Sequence, residues 1–254
     1  MSFYRTADRV RNNDYGGLRL RSSGIALARH AAPVYLGAGA GASSTLSVTV
    51  SWPGRKVGDL GILVIETSGN DATLTPAGWT HFAGSPLVDV ADANGSKLQV
   101  LWRFADSDAT VTGVSQSLAD PGNHIFAAIY AFRGVSQDVV PGRANAKTEK
   151  ATPSPIATFP SITTMAHNSL VICVASHPLL TASNVFSNFF SSTLTNTATA
   201  FQLSRTDGNG GGFGLFYGGM PDLGATGTAT VNMSSSLTNC ALTFALEPSI
   251  ALPS

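Results

Sequence analysis

Apolar and polar positions alternate quickly along this chain, and from Thr45 onward they do so with the period of a β-strand. In Thr45–Trp52 apolar residues alternate with serine and threonine, the pattern of a strand with one buried face. Asp59–Thr67 is a short buried run. Gly78–Phe82 follows a turn at Pro76, Lys97–Phe104 alternates around Leu98, Val100 and Trp102, Ala109–Gly113 is short, and His124–Phe132 is apolar with small residues. Val140–Pro155, rich in Pro, Lys and Thr, reads as an exposed connection. Further strands are expected at Ile162–Thr164, Ser169–Ala175, Val185–Phe190, Thr199–Leu203, Phe213–Tyr217, Thr228–Val231 and Cys240–Leu246, separated by Gly, Asn, Asp and Pro clusters. Many short strands at this spacing predict a sandwich or barrel.

A repeat lies inside the pattern. Gly58-Asp59-Leu60-Gly61-Ile62-Leu63-Val64 parallels Asn168-Ser169-Leu170-Val171-Ile172-Cys173-Val174, and Leu98-Gln99-Val100-Leu101-Trp102 parallels Phe213-Gly214-Leu215-Phe216-Tyr217. Thr110-Val111-Thr112 parallels Thr230-Val231-Asn232, and Ala127-Ala128-Ile129-Tyr130-Ala131-Phe132 parallels Ala241-Leu242-Thr243-Phe244-Ala245-Leu246. These elements recur in one order at an offset of roughly 110–120 residues, and two copies are too few for a solenoid. A double Greek-key jelly roll, or two similar small sandwiches, accounts for them. The expected fold is all-β: a jelly-roll-like sandwich of two similar halves, residues 43–139 and 156–248, in a body spanning 37–250.

Residues 1–36 lack any sustained period. Thr6-Ala7-Asp8-Arg9-Val10 suits one helical turn capped by Thr6, Ser23–Ala32 suits another short helix, and Tyr15-Gly16-Gly17 reads as a turn. This extended arm offers too little apolar area to fold alone, so a partner subunit is its simplest support. Gly37-Ala38-Gly39-Ala40-Gly41 reads as a flexible hinge into the body. Gly37, Gly39 and Ala42 also fit a dinucleotide-binding turn, but that turn must open a helix, and the alternating segment that follows is a strand.

Charge separates the arm from the body. The chain is formally neutral, yet residues 1–30 hold Arg5, Arg9, Arg11, Arg19, Arg21 and Arg29 against Asp8 and Asp14, a net +4. The nine basic and thirteen acidic residues that remain give −4. Arginine forms forked hydrogen bonds and tolerates desolvation better than lysine, so these six arginines are the candidate partner-docking residues. Nucleic acid is the weaker reading, because dispersed arginines at +4 give modest, screened binding. Only 12% of residues are charged, against roughly a quarter in ordinary globular domains. That points to a surface partly covered by neighbours and so to a homo-oligomer.

Candidate chemistry is sparse. His30, His81, His124, His167 and His177 stand at no metal-ligand spacing, and His167 and His177 flank one strand at opposite ends. His81, beside Trp79 and Phe82, reads as a histidine at the core edge. Cys173 and Cys240 sit in apolar runs and read as buried free thiols. Asp59, Glu66, Asp71, Asp89, Asp92, Asp106, Asp108 and Asp120 are scattered and read as solvated turns; Asp106 and Asp108 lack the further donors of a calcium loop. Gly208–Gly212 lacks the Lys and Ser/Thr of a phosphate-binding loop. No nucleophile elbow, secretory signal or transmembrane helix is legible. No catalytic site, metal or cofactor is expected, and the chain reads as a non-enzyme.

Four short motifs occur in order: Val57-Gly58-Asp59-Leu60, then Pro76-Ala77-Gly78-Trp79-Thr80, then Leu98–Ala105 with its Trp102-Arg103-Phe104, then Ile129–Val135 with its Phe132-Arg133-Gly134. Together they resemble a β-sandwich module of bacteriophage tail and capsid-associated structural proteins, over about two-thirds of the body. The second half departs, with Glu247-Pro248 in place of Arg133-Gly134. Arg103 and Arg133 are expected to pair with carboxylates at the sandwich edge. The resemblance implies a virion protein, assembled in the host cytoplasm. It would serve as a minor capsid, decoration, neck or tail component, docked to other virion proteins through its arm. The alternative is a receptor- or glycan-binding module that uses the Gly- and Asn-rich loops.

Overall fold

The computed structural model describes residues 30–44, 47–108, 115–119, 124–178, 186–204 and 211–249. The arm up to Arg29, with its expected helical turns, lies outside the described residues. The first half carries β1 (Val34–Ala38), β2 (Ala42–Ser44), β3 (Ser47–Ser51), β4 (Leu60–Ser68), β5 (Thr80–His81), β6 (Leu87–Val88), β7 (Ser96–Phe104), β8 (Ser115–Ala119) and β9 (Ile125–Arg133). The second carries β10 (Asn145–Phe159), β11 (Thr163–Thr164), β12 (Ser169–His177), β13 (Ser187–Ser191), β14 (Thr195–Ser204), β15 (Gly212–Met220), β16 (Gly224–Ala225) and β17 (Ala229–Leu246). All the regular structure among the described residues is strand.

The main sheet of the first half runs β1-β9-β4-β7-β5, and that of the second runs β10-β17-β12-β15-β14. Taken strand for strand, the two orders agree. A second layer backs each sheet. In the first half it is β3 against β8. In the second it is Ile156–Phe159 of β10 against Ala229–Asn232 of β17, with β13 alongside. This connectivity is repeated in both halves, and the two main sheets pack on each other as an all-β sandwich.

Register makes the duplication concrete. Leu63 lies opposite both Leu101 and Ile129. The residues aligned with these three by the repeat are Cys173, Phe216 and Thr243, and Cys173 lies opposite both Phe216 and Thr243. A slip of one residue in either sheet would lose the match and turn every side chain to the other face.

The alternation sorts side chains into three cores. Ile62, Val64, Leu98, Val100, Phe126 and Tyr130 meet Ile172, Val174, Phe213, Leu215, Leu242 and Phe244 between the two main sheets. Leu63, Ile65, Leu101 and Ile129 point the other way, onto Val48, Val50, Trp52 and Trp79. Their counterparts Cys173, Ala175 and Phe216 pack on Phe159, Phe186 and Val231. Each half therefore keeps a core of its own and shares a third with its twin. Being covered on both faces explains why all nine residues of β4 and all nine of β12 are buried and why both read as near-continuous apolar runs. Each fully buried Leu, Ile or Phe contributes about 1.5–3 kcal/mol.

Several expectations need correcting. Gly37–Gly41 is not a flexible hinge. β1 runs to Ala38, the Gly39 amide donates to the Ile129 carbonyl at 2.8 Å, and a Cβ on Gly39 would collide with the Ser51 backbone. Glycine serves close approach here, and the first sheet begins at Val34, inside the segment read as arm. Likewise, Val140–Pro155 is not a connection: from Asn145 it is β10, the outer strand of the second sheet. Lys147, Lys150, Pro153 and Pro155 are the residues that guard an edge strand against pairing. The expected strands Thr228–Val231, which starts one residue later at Ala229, and Cys240–Leu246 are parts of one long strand, β17. Thr110–Thr112, matched to Thr230–Asn232, lies outside the described residues; β8 takes the equivalent place opposite β3.

Candidate functional site

Antiparallel register brings the end of β4 to the starts of β7 and β9, with Ser68 opposite Ser96 and Thr67 opposite Ile125. In the second sheet it brings Ser176 opposite Cys240 and His177 opposite Gly212. Face-to-face packing then joins the two sets into one buried polar cluster. His124 Nε2 lies 3.1 Å from Glu66 Oε2 and 3.3 Å from Oε1. Ser68 Oγ lies 3.2 Å from His124 Nδ1, and the Ser96 hydroxyl donates to Glu66 Oε1 at 3.0 Å. Ser176 Oγ closes the seam between the halves, 2.7 Å from Ser96 Oγ. The Cys240 thiol donates to the Ser96 carbonyl at 3.6 Å. A Cβ on Gly211 would strike the Glu66 carboxylate and the His124 ring, so the second half rests on this pair through a glycine.

Burial dominates the electrostatics. Glu66, Ser68, Ser96, Ser176 and His177 are fully buried, and His124 is nearly so. Desolvation pushes the Glu66 carboxyl up to about 7, against the pull of His124 and Ser96, and nearby Asp89 adds to the rise. Burial pushes His177 down to about 3 and the Cys240 thiol well above its ordinary value. Serine, histidine and glutamate form a hydrogen-bonded chain here, the composition of a nucleophile, a base and its orienting acid. With Ser68 buried, the chain faces no solvent in this conformation. What the arrangement can do is hold a proton between Glu66 and His124.

The opposite end of the seam is built from ion pairs. Arg133 grips Asp59 with two bonds, Nε to Oδ1 at 2.9 Å and Nη2 to Oδ2 at 2.7 Å. Glu247, which the repeat aligns with Arg133, pairs instead with Arg143. The departure Glu247-Pro248 for Arg133-Gly134 is thus a charge reversal with its own partner. Val135 and Pro248 form a bridge between the two halves, flanked by Ser136 N–H to Glu247 O at 2.9 Å and Ser249 N–H to Gly134 O at 2.7 Å. His30 and Ser249, the first and last described residues, also meet here: His30 Nδ1 lies 3.2 Å from Ser249 O, and Asn168 Nδ2 donates to His30 O at 2.9 Å.

Arg5, Arg9, Arg11, Arg19, Arg21 and Arg29 lie outside the described residues. Arg103 pairs with Asp106 and Arg133 with Asp59, as expected. Asp108 accepts from the Val57 amide, away from any calcium-like cluster. His81 bridges Leu74 O and Ser85 Oγ, and Cys173 and Cys240 are free and buried. Among the described residues no group of three His, Cys, Asp or Glu could hold a metal. Sequence reading missed the Glu66–His124 cluster, because its members come from five separate segments. The available signal was Glu66 itself, a lone charge in an apolar run.

Fold and cluster define a class: an all-β, sandwich-like protein of two similar halves around a shared core, with a buried proton-holding network at one end and ion pairs beside His30 at the other. Comparison with protein-family models, with curated proteins and with solved structures finds no match in any of the three.

Proposed function

We propose that this chain is a structural protein of a bacteriophage virion, a minor capsid, decoration, neck or tail component fixed to the particle by its N-terminal arm. The supporting observation is where the arm leaves the body. His30, the residue that follows the arginine-bearing segment, is pinned to the second half by Asn168 and Ser249, at one end of a body whose central strands are covered on both faces. An arm of +4 on a body of −4 suits docking between neighbouring subunits. The test is deletion of residues 1–29, which spares β1, followed by mass spectrometry of purified particles. The truncated body is expected to fold and to be lost from particles; its retention at full occupancy would sink the anchoring role.

One observation favours a second reading, glycan binding. Phe190 on β13 is 63% exposed opposite Thr230, with Asn232 and Ile156 on the neighbouring strands. An exposed ring among amide and hydroxyl groups suits a sugar face. Glycan-array binding by the body, lost in Phe190→Ala, is the result this reading requires.

A further inference from the structure

We infer that Glu66 and His124 form a proton-operated latch between the two halves: one proton shared by the pair keeps this end of the seam closed, and its loss opens it. The inference is independent of the virion reading.

The geometry accommodates the proton in either place. On Glu66, the carboxyl donates to His124 Nε2, and Nδ1–H donates to Ser68. On His124, both ring nitrogens donate, one to Glu66 and one to Ser68. Removing the proton needs no rearrangement beyond a turn of the Ser68 hydroxyl, which then donates to Nδ1. What changes is the charge: a carboxylate stays behind, fully buried, next to a neutral ring. Burying an unpaired charge is costly, and the cost is relieved by admitting water.

The groups around the pair decide where water enters. Asp89 accepts from the Ser96 amide at 2.6 Å while Ser96 Oγ donates to Glu66, so a charged Glu66 and Asp89 flank one serine. Lys97, the nearby cation, is tied to the Asp71 carbonyl. His177 of β12 is held neutral by burial. Among the described residues, the β15 side presents only Gly211, and the β17 side Cys240, whose thiol is held protonated. β9 offers the Phe126 ring, its centroid 5.5 Å from that of His124 and its plane at 72° to it. None of these supplies a mobile positive charge to the bared carboxylate. The weakest boundary is therefore the one the halves share, Ser96 to Ser176 and Glu66 to Gly211. Burial already sets the Glu66 carboxyl near neutral pH, so the latch operates there.

Amide hydrogen exchange on the full chain at pH 5.5, 7 and 8.5, corrected for intrinsic rates, tests this. Protection at residues 66–68, 96–97, 124–126, 176–177 and 211–213 is expected to fall by roughly tenfold or more across that range. Protection at the other end of the seam, around Leu60 and Leu170, should hold. Glu66→Gln, which keeps the shape and carries no proton to lose, should remove the pH dependence. Uniform protection in the native protein at all three pH values, or an undiminished response in Glu66→Gln, overturns the latch. If Glu66→Gln does not fold, carboxyl-carbon NMR of the native protein decides: a Glu66 signal that titrates near neutrality supports the inference, and one ionised throughout pH 5–8 refutes it.

Discussion

The two ends of the seam solve one problem in opposite ways. Each must join strand ends from both halves without leaving polar groups stranded. At the His30 end the charges are paired one to one and the arginine of each pair stays wet: the Arg133 and Arg143 side chains are 45% and 42% exposed, over carboxylates of Asp59 and Glu247 that are nearly enclosed. At the Glu66 end a carboxylate, an imidazole and three serines are fully or almost fully enclosed. Solvated ion pairs are cheap and weakly stabilising. A buried network is costly unless every member is satisfied. One end can therefore tolerate change in charge or salt, while the other is sensitive to a single proton.

The comparison presumes that both ends belong to one cooperative unit, and the shared core is the place to break that. Phe244 of the second half stacks on Phe82 of the first, with ring centroids 4.2 Å apart. Phe244→Ala is expected to cost about 3–5 kcal/mol. Calorimetry should still show one transition, at a lower Tm. Two separated transitions would mean that the halves are independent domains and that their ends cannot be compared as parts of one seam.

Next in size is the enclosed end itself. Gly211→Ala pushes a methyl group into the Glu66 carboxylate, and overpacking of this kind costs about 1–3 kcal/mol. Gly134→Ala at the other end meets no side chain within 3.5 Å, only the Pro33 Cα at 3.9 Å, though its positive φ of 76° still strains the backbone. Denaturant midpoints should place the Gly211 variant well below the Gly134 one; the reverse order would show that the enclosed end is the slack one.

How far could this contrast be read from sequence? β4, β7, β9, β12 and β15 announce themselves by alternation or apolar runs, and the repeat was legible because Leu60–Val64 and Leu170–Val174 each face the shared core on one side and the core of their own half on the other. β10 was not legible, because Lys147, Lys150, Pro153 and Pro155 suit both an exposed edge and a loop. Gly39 was ambiguous for a similar reason: glycine permits both a hinge and close contact, and only the Ser51 backbone beside it decides. The cluster was hidden more deeply. Ser96 and Ser176 touch because two sheets stack, and no local spacing encodes that. That Arg133 would pair with a carboxylate was anticipated, though not that the partner would be Asp59.

Proton linkage sharpens the contrast further. Glu66 has a folded value of about 7 against an ordinary 4.5. Between those values the folded chain holds a proton that the unfolded chain has released, so stability falls as pH rises through the interval. His177 has a folded value of about 3 against 6.5. Between those values the unfolded chain binds a proton that the folded chain refuses, so stability falls as pH drops. The two slopes oppose each other from about pH 4.5 to 6.5. Thermal melts of His177→Gln should expose the Glu66 slope, with Tm falling from pH 4.5 to 7. Melts of Glu66→Gln should expose the His177 slope, with Tm rising from pH 3 to 6.5. Identical pH profiles for both variants would assign the linkage elsewhere.

The smallest effect belongs to the solvated end. Arg133→Ala removes a two-bond grip on Asp59, but Asp59 keeps a hydrogen bond from the Lys56 amide at 2.6 Å, and the lost guanidinium was already half in water. The expected cost is below about 1 kcal/mol and shrinks further as salt screens the pair. Denaturant melts at low and high salt read both features. A salt-independent loss of several kcal/mol would mean that Asp59 depends on Arg133 as a buried group depends on its partner. The two ends would then follow the same rule, and the distinction between a wet end and an enclosed one would fail.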